Sequence, residues 1–164
     1  MCYPYVMDSS ESTLKLRLPE AADLGAPFVV TIKGIVVCAE RVLMLRKPNG
    51  RWDLPGGKLE LGEGIIEGLC REIVEETGLR VAVERIVDSW VRPRQIKPSK
   101  FVVTYLCRSL ISPAVVQISD EHVEHGLFSP ADLSALPMLD GTRGSLNAVF
   151  ARRANPNPQP PESL

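Results

Sequence analysis

The stretch Gly56–Leu79, GGKLELGEGIIEGLCREIVEETGL, restricts this chain more than any other. Ile66, Leu69, Cys70 and Ile73 recur at helical spacing, which predicts a helix from near Gly64 to Thr77 with one buried side. Gly78 is a suitable stop, because it takes positive φ without a Cβ clash. Glu72, Glu75 and Glu76 stand at i, i+3 and i+4, so three carboxylates share a face beside the apolar one. Like charges at that spacing cost a few tenths of a kcal/mol per pair unless something compensates. A cation is therefore expected among them, and clustered carboxylates are hard oxygen donors of the kind Mg²⁺ or Mn²⁺ takes. One i,i+4 ion pair, Glu67 with Arg71, is also expected.

A helix with one apolar side needs a layer to cover it. The flanking sequence reads as a sheet. Phe28–Ala39 is rich in Val and Ile and predicts a long strand. A tight connection at 39–41 leads to a return strand, Val42–Arg46, and Lys47–Arg51 is a turn by its Pro-Asn-Gly content. Val81–Trp90 and Lys100–Ser109 predict two more strands, joined by Val91–Ser99, a loop with Arg92, Arg94 and Lys97 and no acid. Val115–Ser119 and Val123–Phe128 are shorter strand candidates. Ser129-Pro130 is a helix start, with Ser129 as N-cap and Pro130 at the first helical position. Leu146, Val149 and Phe150 mark a last amphipathic helix over Gly144–Arg153.

The organisation that follows is an α+β chain, strands with helices docked on their sheet. Its domain spans 26–154. Residues 1–25 form an N-terminal extension, in which Leu14, Leu16 and Leu18 alternate with Lys15 and Arg17 as an edge strand or a homodimer arm would. Residues 155–164, NPNPQPPESL, are a Pro-rich tail expected to be disordered.

Bulk properties remove several function classes. A length of 164 residues suits one domain. The formal net charge of −1 gives no electrostatic case for a long nucleic acid. No run of about 18 apolar residues exists, so no membrane span is expected. The start has neither a basic nor a long apolar region, so no secretory signal is expected. Four cysteines without a C-x-x-C pair argue against zinc and a disulfide framework. Cys38, Cys70 and Cys107 read as buried hydrophobes, and a reducing cytoplasm fits. His122-x-x-His125 has half the spacing of a zinc site and lacks a third ligand.

Gly57, five residues, Glu63, seven residues, then Arg71-Glu72-Ile73-Val74-Glu75-Glu76-Thr77-Gly78-Leu79 resembles the signature of the Nudix hydrolase family at every fixed position. The resemblance implies a Nudix fold, a three-layer α/β/α sandwich with a mixed sheet flanked by helices, and hydrolysis of a nucleoside diphosphate linked to some other group. It implies a metal site of Glu72, Glu75, Glu76 and the Gly56 carbonyl, and a supporting role for Gly57, Glu63, Arg71 and Gly78. Family members often recruit one more acid from a later loop. Glu121 is the choice here, with Asp120 and Glu124 as rivals, and the general base is left between Glu72 and Glu121; Glu76 completes the catalytic set. Arg46, Arg51, Arg92 and Arg94 are the candidate phosphate contacts, against their being ordinary surface charges. Trp90, Phe101 and Tyr105 are candidates for stacking a nucleobase, although aromatic residues in strands are more often core.

Markers of the family's subclasses are missing. The proline that the ADP-ribose-cleaving subclass carries about sixteen residues past the box falls on Gln95, between Pro93 and Pro98. The tyrosine of the dinucleoside-polyphosphate subclass and the upstream signature of the coenzyme A subclass are absent. What remains is a small nucleotide pyrophosphohydrolase acting on nucleoside triphosphates or modified nucleotides. The alternatives are a nucleotide sensor that does not cleave, and an enzyme acting on the 5′ end of RNA.

Overall fold

The computed structural model describes residues 27–154. The extension at 1–25, with its Leu14–Leu18 arm, and the Pro-rich tail lie outside the described residues. The elements are β1 (Phe28–Cys38), β2 (Arg41–Arg46), β3 (Trp52–Asp53), α1 (Ile65–Thr77), β4 (Val81–Arg92), β5 (Ser99–Ser109), β6 (Glu124–Phe128), α2 (Pro130–Leu133) and α3 (Asp140–Ala154). A single 3₁₀ turn, Pro113–Val115, lies between β5 and β6.

The sheet is mixed, in the order β3-β2-β1-β5-β4, with β6 also paired to β2. Among the described residues only β1 and β5 run parallel, in register from Phe28 opposite Ser99 to Val37 opposite Arg108. The hairpin between β1 and β2 turns through Ala39 and Glu40, both at positive φ. β2 pairs with β1 only at Val37–Val42 and Cys38–Arg41 and then turns away toward β6. The edge it leaves is taken by the glycine segment. Ile32 N–H donates to the Gly57 carbonyl at 2.9 Å, Gly34 N–H to Pro55 at 2.9 Å, and Leu59 N–H to Val30 at 3.1 Å. The segment before α1 is thus held as an antiparallel neighbour of β1.

Alternation along the strands produces two cores. One face of the sheet packs Ile32, Val36, Leu43, Leu45, Tyr105 and Cys107 against Leu69, Ile73 and Leu79, on the α1 side. The other packs Ile35, Val42, Met44, Trp52, Leu54 and Leu106 against Leu133, Leu146 and Val149, on the α3 side. Each fully buried Leu or Ile contributes about 1.5–3 kcal/mol. The result is the expected sheet between helices. Trp52 belongs to this packing, edge-on to Phe128 with centroids 4.8 Å apart.

Five local readings change. Ile66 is 47% exposed, because burial along α1 begins only at Gly68, one turn in from the helix start. Cys70 is half-buried. Residues 115–119 form no strand: the Gln117 and Ser119 amides donate to the Thr77 and Glu76 carbonyls at 3.1 and 3.3 Å. Those carbonyls end α1 and have no partner within it, so the segment's amides close the helix and are unavailable to a sheet. β4 runs on to Arg92, which shortens the cationic loop to 93–98. Arg71 pairs with Glu63, Glu72 and Glu75 and not with Glu67.

Candidate active site

The site is built where the glycine segment crosses α1. Gly56 has φ +122°, and a Cβ there would lie 2.3 Å from the Ile32 carbonyl oxygen. Only glycine lets the backbone run this close to β1. A Cβ on Gly57 would lie 2.1 Å from Glu72 Oε2 instead, so the Glu72 carboxylate lies directly against the segment. Gly78 closes α1 at φ 71°, with its amide donating to Val74.

Glu76 is 6% exposed. Its Oε2 accepts from the Gly56 amide at 2.7 Å. Burial pushes its carboxyl above the usual range, against the pull of Lys33 and the Gly56 amide. His122 lies on its other side, with Nε2 3.8 Å from Glu76 Oε1. Both nitrogens of the His122 ring are buried without a hydrogen-bond partner. Burial, with Lys47 and Lys33 adding to it, lowers the imidazole to about 4.

Arg71 fastens loop to helix. Its Nε donates to Glu63 Oε1 at 2.7 Å and its Nη2 to Glu63 Oε2 at 3.0 Å, a bidentate pair. Its Nη1 reaches Glu72 at 3.2 Å and Glu75 at 3.1 Å. The Arg71 hydrogen bonds hold the Glu63 carboxyl below its usual range. One guanidinium therefore offsets much of the repulsion among the acids of the helix. Glu75 points outward, its side chain 58% exposed. Glu121 is exposed, on the loop that carries His122 inward.

The structure brings Gly56, Gly57, Glu63, Arg71, Glu72 and Glu76 together. The arginines are spread wider. Arg51 and Arg92 line one hollow with Lys47 and Asp53. Arg94 lies on the loop between β4 and β5, and Arg46 is engaged by Glu124 at 2.9 Å. Of the aromatic candidates, Tyr105 is core, Trp90 packs over Gly141 and Phe101 is exposed.

Lys33 is the participant that the sequence reading did not single out. Its buried ammonium donates to the carbonyls of Gly56 and Leu54, and Asp53 Oδ2 is 3.4 Å away. Burial pushes the Asp53 carboxyl up, but Lys33, Lys47 and the Leu54 amide outweigh it and hold it below the usual range. The available signal was a lone lysine in the middle of the apolar run FVVTIKGIVVC.

A family model for the NUDIX domain matches residues 29–149. The chain belongs to the Nudix family. Among curated relatives, a MutT-like protein of Streptomyces ambofaciens is 30% identical over 141 residues, covering 80% of this chain and 88% of that one. A putative 8-oxo-dGTP diphosphatase of Bacillus subtilis is 42% identical over 53 residues, 32% of this chain and 36% of that one. Among solved structures, an ADP-ribose pyrophosphatase from Streptococcus suis superposes with a TM-score of 0.61 at 24% identity, covering 80% of this chain and 94% of that one, which is a likeness of fold.

The protein is thus a Nudix pyrophosphohydrolase, and Nudix hydrolases act on small nucleotide substrates and generally need a divalent metal. The residues present fit such an ion. Glu72, Glu76 and the Gly56 carbonyl are hard oxygen donors at one crossing. An ion there would share the Gly56 carbonyl with the Lys33 ammonium, which already donates to it. Among the described residues no helix is long and apolar enough to cross a membrane.

Proposed function

We propose that this Nudix enzyme hydrolyses the phosphoanhydride of a nucleoside diphosphate linked to another group, with a nucleoside triphosphate or a modified nucleotide as substrate and Mg²⁺ or Mn²⁺ as the ion. One observation carries the reading: the buried Glu76 carboxylate is fixed by the Gly56 amide, beside the Gly56 carbonyl and the Glu72 carboxylate. Glu72, Glu76 and the Gly56 carbonyl would hold the ion, and Glu75 and Glu121, both exposed, would join them only by turning inward. An ion held there would neutralise the diphosphate and make a bound water more acidic.

The chain's own groups do the rest. Glu121, an exposed carboxylate, or Glu72 takes the proton of the attacking water. Arg71 and Glu63 keep the loop against the helix, Gly57 leaves room for the Glu72 carboxylate and Gly78 ends the helix. Arg51, Arg92 and Arg94 meet the substrate's phosphates, and Arg46 joins them only by releasing Glu124. Among the described residues three free cysteines, two of them buried, fit a reducing cytoplasmic setting.

A panel of nucleoside triphosphates, oxidised nucleotides and diphosphate-linked nucleotides, assayed with Mg²⁺ or Mn²⁺, tests the reading. Triphosphates are expected to give nucleoside monophosphate and pyrophosphate, and diphosphate-linked substrates two phosphomonoesters. No turnover together with tight nucleotide binding would point to a sensor. Turnover confined to 5′-phosphorylated RNA would point to RNA ends.

A further inference from the structure

The sheet face turned away from α1 carries a concentration of positive charge that the carboxylate site does not account for. Leu106 faces the α3 core, so Thr104, Val102 and Lys100, at successive two-residue steps, share its face. Arg92 is the cross-strand partner of Lys100 and lies on that face with it. Lys33 is in register with Thr104 and belongs there too. Lys47, Arg51 and Arg92 line a hollow together with Trp52, Asp53 and Leu139.

Protein counter-charge is scarce in this hollow. Asp53 is the acid in its lining and is already engaged by Lys33. Among the described residues, none of Lys47, Arg51, Arg92 and Lys100 has a carboxylate within ion-pair distance. Burial, and then the charges of Lys33, Arg92, Arg94 and Lys47, hold the Lys100 ammonium below the usual lysine range. The cations are close enough to oppose one another. The hollow is also a poor platform for a neutral base, because the Trp52 ring is buried edge-on to Phe128.

Lys33 links the two halves of the site. Its side chain leaves the α3 face of β1 and ends on the Gly56 carbonyl, beside Glu76. A substrate whose diphosphate meets the carboxylates therefore has its remaining part within reach of the hollow.

We propose that this hollow binds an anionic group of the substrate other than the cleaved diphosphate, a phosphomonoester or carboxylate carried on the nucleoside or on the linked moiety, held by Arg92, Arg51 and Lys47 of its lining and by Lys100, the cross-strand partner of Arg92. The inference rests on the phosphoanhydride reading above and narrows one part of it: Arg51 and Arg92 meet this second anion, which leaves Arg94 for the cleaved diphosphate. Arginine supplies a bidentate fork for such oxyanions and lysine a point charge.

Matched pairs of substrates test it: ADP-ribose against 2′-phospho-ADP-ribose, and UDP-glucose against UDP-glucuronate. The charged member of at least one pair is expected to show a kcat/KM about tenfold higher, mainly through a lower KM. The phosphate pair and the carboxylate pair separate the two kinds of anion, and a preference in either supports the hollow. Lys100→Met is expected to bring the ratio within the preferred pair toward one, and Lys100→Arg to restore it. Equal kcat/KM within both pairs would overturn the inference, as would a ratio that Lys100→Met leaves unchanged. Calorimetric titration of the four ligands without added metal decides the matter independently of turnover. Tighter binding of a charged member, with no hydrolysis of these ligands or of nucleoside triphosphates once Mg²⁺ or Mn²⁺ is added, would sink the phosphoanhydride reading and keep the hollow, and equal affinities would sink the hollow.

Discussion

At the residue scale, Glu76 separates chemistry from folding. Its carboxylate is buried against the Gly56 amide, and an amide oxygen can accept the same hydrogen bond. Glu76→Gln is expected to keep the fold, by circular dichroism, and to lower kcat by about a hundred- to a thousandfold, the scale on which preorganised charge acts. Wild-type turnover in that variant would remove Glu76 from the metal site. His122 makes a different demand. Its imidazole falls from 6.5 to about 4 in the folded protein, so the unfolded chain binds the proton more tightly. Its contribution is therefore fully present above pH ~6.5 and is lost as the pH falls toward ~4. In urea titrations across that window, His122→Leu is expected to lose less stability than the wild type; parallel curves would contradict the assignment. None of this burial was legible in the sequence. His122 and His125 look alike there, and only the fold turns one inward and leaves the other exposed.

At the scale of elements, the glycine segment is the informative one. Its two glycines stand on opposite obstacles. A Cβ at Gly56 meets the backbone of β1, which cannot yield, whereas a Cβ at Gly57 meets the end of a side chain. Gly56→Ala is expected to destabilise the protein by about 1–3 kcal/mol or more. Gly57→Ala is expected to leave the urea midpoint nearly unchanged and to reduce turnover by displacing Glu72. If both variants fail in the same way, the two contacts are not distinct. The box helix was legible to within a residue at each end, since glycines bracket it and its apolar period is strong. The 115–119 segment was not. Its valines suggest a strand, but its amides serve the end of α1, a long-range demand that composition does not carry. Lys33 was visible as an interruption of an apolar strand, and its purpose appears only once Pro55–Gly57 lies alongside.

At the scale of the whole molecule, periodicity marked the strands and helices and the family resemblance supplied their layering, while strand order was not legible locally. Nothing local says that β1 takes β5 as its parallel partner or that β2 turns away to β6. The assembled molecule concentrates carboxylates on the α1 side and cations on the α3 side. A bound divalent ion relieves the first concentration and so favours the folded state. At a hundredfold excess over Kd, Mg²⁺ or Mn²⁺ is expected to raise Tm by about 5–10 °C, a shift that a chelator reverses and Glu76→Gln largely abolishes. A Tm indifferent to the ion in the wild type would argue against the carboxylates as its site.

The parallel ladder of β1 and β5 also governs the order in which the chain can be made. Phe28 has no partner on that edge until Ser99 exists, and the α1 box is complete well before then. A ribosome-bound chain that stops short of β5 therefore carries a finished Nudix signature beside an open, Val- and Ile-rich strand edge. Such non-local pairing folds slowly and exposes the edge meanwhile. Truncations before Ser99 should aggregate or bind chaperones, however intact their signature sequence.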